Sequence, residues 1–360
     1  MRKKISIAII YNEPVTGGEV ERKFVSADGV LEAVGKSGGP AVAALVDMSE
    51  VGVLEEREDI ARALQAAGYK AAVLNVDGDL NRLIGFLKEE QPDLIFNLCE
   101  SVGNVAIHEM HIAGIYELLG VPYTGSDAIT LGTALNKVRV KEILAFNGLP
   151  TPRFQLFKSA VKIAVDESMQ FPLIVKPSRE DASIGIETRS VVSSLAELRK
   201  RVRYIIEEYD QPALVEEYID GRELNVAILG NRKPLVFPIS EIDMSTLPAQ
   251  YPRIVTYNAK WMKGTDEFEH TRGVCPALLP AELETEIKSL ALRAYGLLGC
   301  RDYARVDFRL SKDHQPFILE VNPNPDISDD AGFARSAGAY GYSFDQLVGK
   351  IVECALERMP

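Results

Sequence analysis

Histidine and cysteine are scarce, at 4 of each in 360 residues. Cys99, Cys275, Cys300 and Cys354 stand far apart with no C-x-x-C pair, which argues against a structural zinc site or a disulfide framework. His108 and His111 lie at i and i+3 without the H-E-x-x-H spacing or a third ligand, so they read as ordinary histidines. With so few imidazoles, no Ser-His-Asp or Cys-His constellation can be placed. Long apolar runs are missing as well: Ile5–Ile10 and Ala41–Val46 are far too short to span a bilayer. The basic start Met1-Arg2-Lys3-Lys4 is followed by no full signal-peptide core or small-residue cleavage site, and it reads as the approach to a first buried strand. Positive charge is in deficit, with 40 Lys and Arg against 52 Asp and Glu and a net charge of −12. That leaves no broad basic surface for nucleic acid, although a local cationic pocket is compatible with it. A content of 46% hydrophobic and 26% charged residues excludes a disordered or collagenous chain. The expectation is a cytoplasmic protein that binds neither nucleic acid nor membrane.

At roughly 100–200 residues per domain, the length suits two or three domains. The pattern divides at 1–128, 129–215 and 216–360. In the first block strands are expected at Lys4–Tyr11, Ala71–Val76, Asp93–Leu98 and Val121–Tyr123. Helices alternate with them at Leu54–Ala67, Leu80–Glu90 and His108–Leu119. Such alternation predicts a parallel α/β sheet whose ligands gather beyond the strand ends, here Tyr11-Asn12-Glu13 and 97–103. The second block reads as a helix Leu131–Phe146, the punctuation Leu149-Pro150-Thr151-Pro152, strands Phe154–Phe157 and Leu173–Lys176, a polar loop Pro177–Gly185 and a helix Ser194–Glu208. The third mixes strands with helices Glu282–Leu298 and Phe344–Arg358, an α+β arrangement.

The chemistry concentrates in a hairpin of Ala304–Leu310 and Pro316–Asn322. Side chains alternate along a strand, so Arg305, Asp307 and Arg309 share one face. On the returning strand Phe317, Leu319 and Val321 share a face opposite to Glu320 and Asn322. A turn centred on Asp313-His314 sets 307 against 320 and 305 against 322. Two facing carboxylates repel and require compensation. Either they hold Mg²⁺, which takes carboxylate oxygens, or Arg305 and Arg309 neutralise a solvated charged face. Two other segments are weaker signals. Lys176 ends a strand before the small polar loop to Gly185, which can lay N–H groups over phosphates without being a Walker loop. Leu214–Leu224 runs through Glu216 and Glu223 around an Asp220-Gly221 turn.

Taken in order, these segments resemble the ATP-grasp superfamily, and within it the D-alanine–D-alanine ligase family, from about Phe96 to the C-terminus. The resemblance is carried by Leu119-Gly-Val-Pro-Tyr-Thr-Gly-Ser126, Leu135-Asn-Lys137, Lys176 with Ser183, Glu216 with Glu223, Tyr257-Asn-Ala-Lys260, and Arg305, Asp307, Glu320 and Asn322. It implies an N-terminal parallel-sheet α/β domain followed by a two-subdomain ATP-grasp fold. It also implies nucleotide contacts from Lys137, Lys176, Ser183, Glu216, Glu223 and Lys260, catalytic roles for Arg305 and Lys260, and metal ligation by Asp307, Glu320 and Asn322. The implied cofactors are ATP and two Mg²⁺ ions, with Mn²⁺ as a substitute, and the implied assembly is a homodimer. Such enzymes phosphorylate a carboxylate with ATP and let an amine attack the acyl phosphate, so no protein nucleophile is needed.

The departures fall on the substrate side. The family's His-Gly after Phe-Asn is replaced by Cys99-Glu100, and its Glu-Gly-Ser-Ser loop by Glu180-Asp181-Ala182-Ser183. Trp261 stands where a Tyr is usual, and Asn322 continues Pro-Asn-Pro-Asp-Ile-Ser-Asp-Asp330, with Asp326 at the position of an oxyanion-hole Gly. Lost hydrogen bonds change substrate choice strongly. The expected activity is therefore amide formation between a small carboxylate and an amine other than two D-alanines. Genuine D-alanine–D-alanine synthesis and a non-catalytic nucleotide-binding regulator are the alternatives.

Overall fold

The computed structural model describes residues 4–13, 23–25, 31–33, 48–103, 105–329 and 331–359; the run Ala41–Val46 lies outside them. The chain opens with β1 (Ser6–Tyr11), a short hairpin of β2 (Lys23–Val25) and β3 (Leu31–Ala33), and α1 (Met48–Ala66), which starts earlier than the pattern suggested. Then follow β4 (Lys70–Asn75), α2 (Leu80–Glu90), β5 (Leu94–Leu98) and α3 (His108–Leu119). Strands β4, β1 and β5 form a parallel sheet in that order, and Val121–Tyr123 contributes a single parallel bridge, Ile95 to Tyr123. Period-two alternation buries both faces. Ile7 and Ile9 pack with α1, and Ala8 and Ile10 pack with α2 and α3. Asp79 caps α2 by accepting from the Asn81 and Arg82 N–H groups, and Gly120 ends α3 at φ 68°.

The next stretch holds α4 (Ala128–Leu135), α5 (Lys137–Phe146), β6 (Phe154–Phe157), β7 (Leu173–Pro177), β8 (Val191–Val192), α6 (Leu195–Tyr209) and β9 (Ala213–Glu217). Its antiparallel sheet has the order β6-β9-β7-β8, with Leu198, Val202 and Ile205 of α6 covering Val175 and Val215. The single helix expected at Leu131–Phe146 is broken. Asn136 leaves helical geometry at φ −83° and ψ 86°, and its side chain caps the second helix by accepting from the Arg139 N–H. Apolar residues keep helical spacing across the break, which hides it from periodicity. The consequence is that Lys137 becomes the first residue of α5 and its N–H reaches the Ser178 carbonyl at 3.3 Å.

The remainder comprises β10 (Gly221–Leu229), β11 (Leu235–Val236), β12 (Ser240–Asp243), α7 (Tyr257–Trp261), α8 (Asp266–Glu269), β13 (Arg272–Val274) and α9 (Ala281–Leu297). It ends with β14 (Tyr303–Ser311), β15 (Pro316–Asn322), α10 (Gly332–Tyr340) and α11 (Phe344–Leu356). Antiparallel pairing gives the order β13-β12-β10-β14-β15, with β11 beside β10. Val306, Phe308 and Leu310 pack with Leu224, Val226 and Ile228 against Ile287 and Ala291 of α9. Helix α11 crosses back to the parallel sheet, where Leu347, Val348 and Ile351 join Ile7 and Ile9. Among the described residues no helix is long and apolar enough to cross a membrane.

The hairpin register holds at the polar positions and shifts beyond them. Asp307 faces Glu320 and Arg305 faces Asn322, but Phe308 faces Ile318, which leaves Leu319 as a bulge. The expected apolar face of Phe317, Leu319 and Val321 is therefore replaced by Ile318 and Val321, both buried in the core. A bulge inserts one residue and reverses alternation on one side of it only.

Gly221 marks the tightest strand approach, since a Cβ there would collide with the Leu310 carbonyl oxygen. Gly221→Ala should destabilise the protein by about 1–3 kcal/mol in urea unfolding. Gly296→Ala, inside α9 with no neighbour within 4 Å of the added carbon, should stabilise it by about 0.5–1 kcal/mol.

Candidate active site

Strand alternation delivers the first part of the site. Asp307 is buried and saturated: it accepts from Arg305 Nε and Nη2 at 2.8 Å each, from Asn225 Nδ2 at 2.7 Å and from Asn322 Nδ2 at 3.0 Å. Burial disfavours the Arg305 cation, but Asp307 outweighs that and raises its pKa. Across the ladder, Glu320 Oε2 accepts from Lys137 Nζ at 2.8 Å. The same ammonium donates to Asp181 Oδ1 at 2.6 Å. Burial would push the Glu320 carboxyl up, yet Lys137 and Lys176 hold it far below the usual range. Lys137 is buried, and Asp181 and Glu320 raise its pKa against desolvation.

Further cations line the β7–β9 side. Lys176 Nζ lies 3.1 Å from Glu216 Oε2, and Lys141 Nζ lies 3.1 Å from Glu216 Oε1. Burial opposes ionisation of Glu216, but the two lysines hold its pKa below normal. Glu223 pairs with Arg309 at 3.1 Å, directly across β10 and β14. Burial raises the Glu223 carboxyl, with Arg309 opposing and Asp307 and Glu320 reinforcing.

Two loops close on each other. Ala182 and Ser183 both take left-handed backbone, at φ 53° and 62°, an uncommon geometry for non-glycine residues. Ser183 Oγ donates to the Val255 carbonyl at 3.0 Å, and the Tyr257 N–H donates to Ile186 O at 2.9 Å. The expectation that Trp261 removes a donor needs correction, because its Nε1 donates to Ala182 O at 3.0 Å. That donor is spent on the loop backbone. Lys260 Nζ sits 4.6 Å from the Trp261 ring centroid. Although Lys260 is exposed, the surrounding protein strips part of its hydration; with Arg305 repelling it, its pKa falls below the ordinary lysine value.

Ion pairs and electrostatic contacts thus bring Lys137, Lys176, Glu216, Glu223, Lys260, Arg305, Asp307, Glu320 and Asn322 together, while Ser183 is tied to Val255. Sequence reasoning missed Asp181, Lys141 and Asn225. Lys141 lies one turn from Lys137 on the same helix, and Asn225 shares the Glu223 face of β10, so spacing carried a signal for both. Among the described residues no cluster of three or more His, Cys, Asp or Glu could hold a metal; the hairpin instead offers two carboxylates and an amide. Those hard oxygen donors fit Mg²⁺, and Arg305 and Lys137 supply the positive charge beside them here.

The far end of the site is acidic. Glu56 is buried and its Oε1 accepts from the Ile327 N–H at 3.3 Å. Burial, then Asp326 and Glu100, push its carboxyl well above the usual range. Glu109 accepts from Asn324 Nδ2 at 2.9 Å, and burial raises it likewise. Asp326 Oδ1 caps the Ser328 N–H at 2.8 Å, while Asp330 lies outside the described residues.

This architecture has solved counterparts. A D-alanine–D-alanine ligase from Bacillus anthracis complexed with ATP superposes with a TM-score of 0.70 at 22% identity, covering 98% of each chain. The VanG D-Ala:D-Ser ligase of Enterococcus faecalis gives 0.71 at 19%, covering 98% of this chain and 100% of that one. Fold and site define an ATP-grasp ligase. The family profile described as D-ala D-ala ligase C-terminus matches residues 142–353. A D-alanine–D-alanine ligase of Carboxydothermus hydrogenoformans is 33% identical over 317 residues, 84% of this chain and 93% of the relative. The uncharacterized protein y4sG of Sinorhizobium fredii is also 33% identical, over 308 residues, 84% of this chain and 87% of the relative. The chain belongs to the D-alanine–D-alanine ligase family.

Because the folded-state pKa of Glu56 is raised, folding stability is lost as pH climbs above the unfolded value of about 4.3. Glu56→Gln should therefore raise Tm at pH 7–8 and leave it unchanged near pH 4, as read by thermal melts across that range.

Proposed function

We propose that this chain joins a carboxylic acid to an amine through an acyl phosphate, consuming ATP and releasing ADP and phosphate. The observation that carries this reading is the convergence of Lys137, Lys176, Lys260 and Arg305 on the facing carboxylates Asp307 and Glu320. A binding protein needs a nucleotide cradle; a phosphoryl-transfer enzyme also needs cations around the oxygens on which charge develops. A carboxylate oxygen attacks the terminal phosphorus, the bond to the bridging oxygen breaks, and ADP leaves with that electron pair. The amine nitrogen then attacks the acyl carbon, loses a proton, and phosphate departs.

Each residue has a place in that sequence. Lys137 and Lys176 neutralise the polyphosphate, and Ser183 orders the loop above it. Glu216 and Glu223 flank the nucleoside. Lys260 and Arg305 stabilise the transferring group and the tetrahedral oxyanion. Asp307, Glu320 and Asn322 would hold Mg²⁺, which supplies further charge neutralisation on the phosphates. The Trp261–Ala182 hydrogen bond fastens helix α7 over the loop and keeps water from the acyl phosphate.

The amine substrate differs from D-alanine in this reading. Glu100 and Asp326 lie within electrostatic reach of the buried Glu56 carboxyl at the acceptor end, where these two anions would repel an α-carboxylate. The favoured acceptor is a cationic or neutral amine whose carboxylate is absent, masked or distant.

Asp307→Asn and Glu320→Gln should each abolish ADP release while unfolding stays cooperative; undiminished turnover in both sinks the metal assignment. Lys260→Ala should lower kcat by about 10²–10³-fold, as for loss of one oxyanion donor, whereas Glu223→Ala should mainly raise KM for ATP. Phosphate release should be assayed over D-amino acids, L-amino acids, amides and polyamines. If D-alanine self-ligation shows the highest kcat/KM in that set, the substrate reading is wrong.

A further inference from the structure

Lys141 is the most deeply buried charge in the site, with 0% exposure, and it lies outside the motifs that carry the family resemblance. Its ammonium has three neighbours. Glu216 Oε1 lies at 3.1 Å, and the Thr151 hydroxyl accepts from Lys141 at 2.9 Å. Lys176 shares Glu216 from the other side, through Oε2 at 3.1 Å. Thr151 in turn donates to the Ile318 carbonyl at 2.8 Å, beside the bulge that precedes Glu320. Glu216 Oε1 is buried with no aligned hydrogen bond, so it depends on the charge of Lys141 rather than on a directed donor.

Charge counting shows what the cluster does. Two ammonium groups and one carboxylate leave a net single positive charge. Without Lys141, Glu216 and Lys176 would form a closed neutral pair. An ammonium locked to a buried carboxylate has little charge left for a phosphate, since the low local dielectric strengthens the internal pair.

We propose that Lys141 is a positioning residue that balances Glu216, so that the charge of Lys176 remains available to the nucleotide phosphates, and that Thr151 ties this balance to the strand bearing Glu320. The inference rests on the nucleotide role given above to Lys176. Burial draws the Lys141 pKa down to about 8 against the pull of Glu216, which leaves the charged form dominant at pH 7.

The test is a double-mutant cycle read by calorimetric titration of the full chain with Mg·ADP. Lys141→Met should weaken binding by about tenfold or more, the scale of a lost charge-assisted contact. In a Glu216→Gln background the same substitution should change Kd by no more than about twofold, because no anion remains to capture Lys176. A merely structural lysine would instead lower Tm in Lys141→Met while Kd of the folded protein stayed put, and that result overturns the proposal. If Lys141→Met does not fold, Lys141→Gln replaces it in both backgrounds of the cycle. An equal loss in both backgrounds also overturns it. Lys176→Ala separates the two readings. If Lys176→Ala binds Mg·ADP as tightly as the wild type, the nucleotide reading falls and this inference with it; if it loses affinity while folded Lys141 variants do not, only the inference falls.

Discussion

Two carboxylates face each other across a pair of antiparallel strands, and the rest of the site is organised by the need to offset that repulsion. Asp307 is satisfied from its own sheet by Arg305, Asn225 and Asn322. Glu320 cannot be satisfied there and takes Lys137 from a helix on another part of the chain. Lys137 is the first residue of α5, directly after the break at Asn136, and its ammonium also pairs with Asp181 of the 178–185 loop. Removing one partner of such a buried pair typically leaves an uncompensated charge costing several kcal/mol, so these elements are mutually dependent.

The same logic governs the layer behind it. Ion pairs as buried as Lys141, Glu216 and Lys176 add little net stability, because desolvation cancels most of the attraction. Stability comes instead from the apolar faces of the same strands: Val175 and Val215 under α6, and Val306, Phe308 and Leu310 under α9. Each strand thus presents an apolar side that holds the fold and a charged side that supports the phosphate-handling reading.

The choice of substrate proposed above rests on two loops. The Trp261 indole donates to Ala182 O, which ties helix α7 to the 178–185 loop. Ala182 has no side-chain donor, and Asp326 turns its carboxylate to the Ser328 N–H. Glu100 and Asp326 both lie within electrostatic reach of the buried Glu56 carboxyl, which is the basis of the acceptor proposed above. These features support the proposed change of amine.

The sequence by itself determined which residues share a strand face and which strands are buried. Alternation placed Asp307 against Glu320 and Arg305 against Asn322. The strand-and-helix rhythm of the first block gave the parallel sheet, with Ile7 and Ile9 on one face and Ala8 and Ile10 on the other. These are local regularities with a fixed period, and a period can be read from composition along the chain. Only the tertiary structure decided the helix break at Asn136, the bulge at Leu319 and the partners of Lys137 and Lys141. A cap can break an apolar pattern without altering it, and a bulge slips one side of a strand without marking the sequence. Ion pairs join residues as far apart as Lys137 and Glu320, and only the packed fold brings such charges within 2.8 Å of each other.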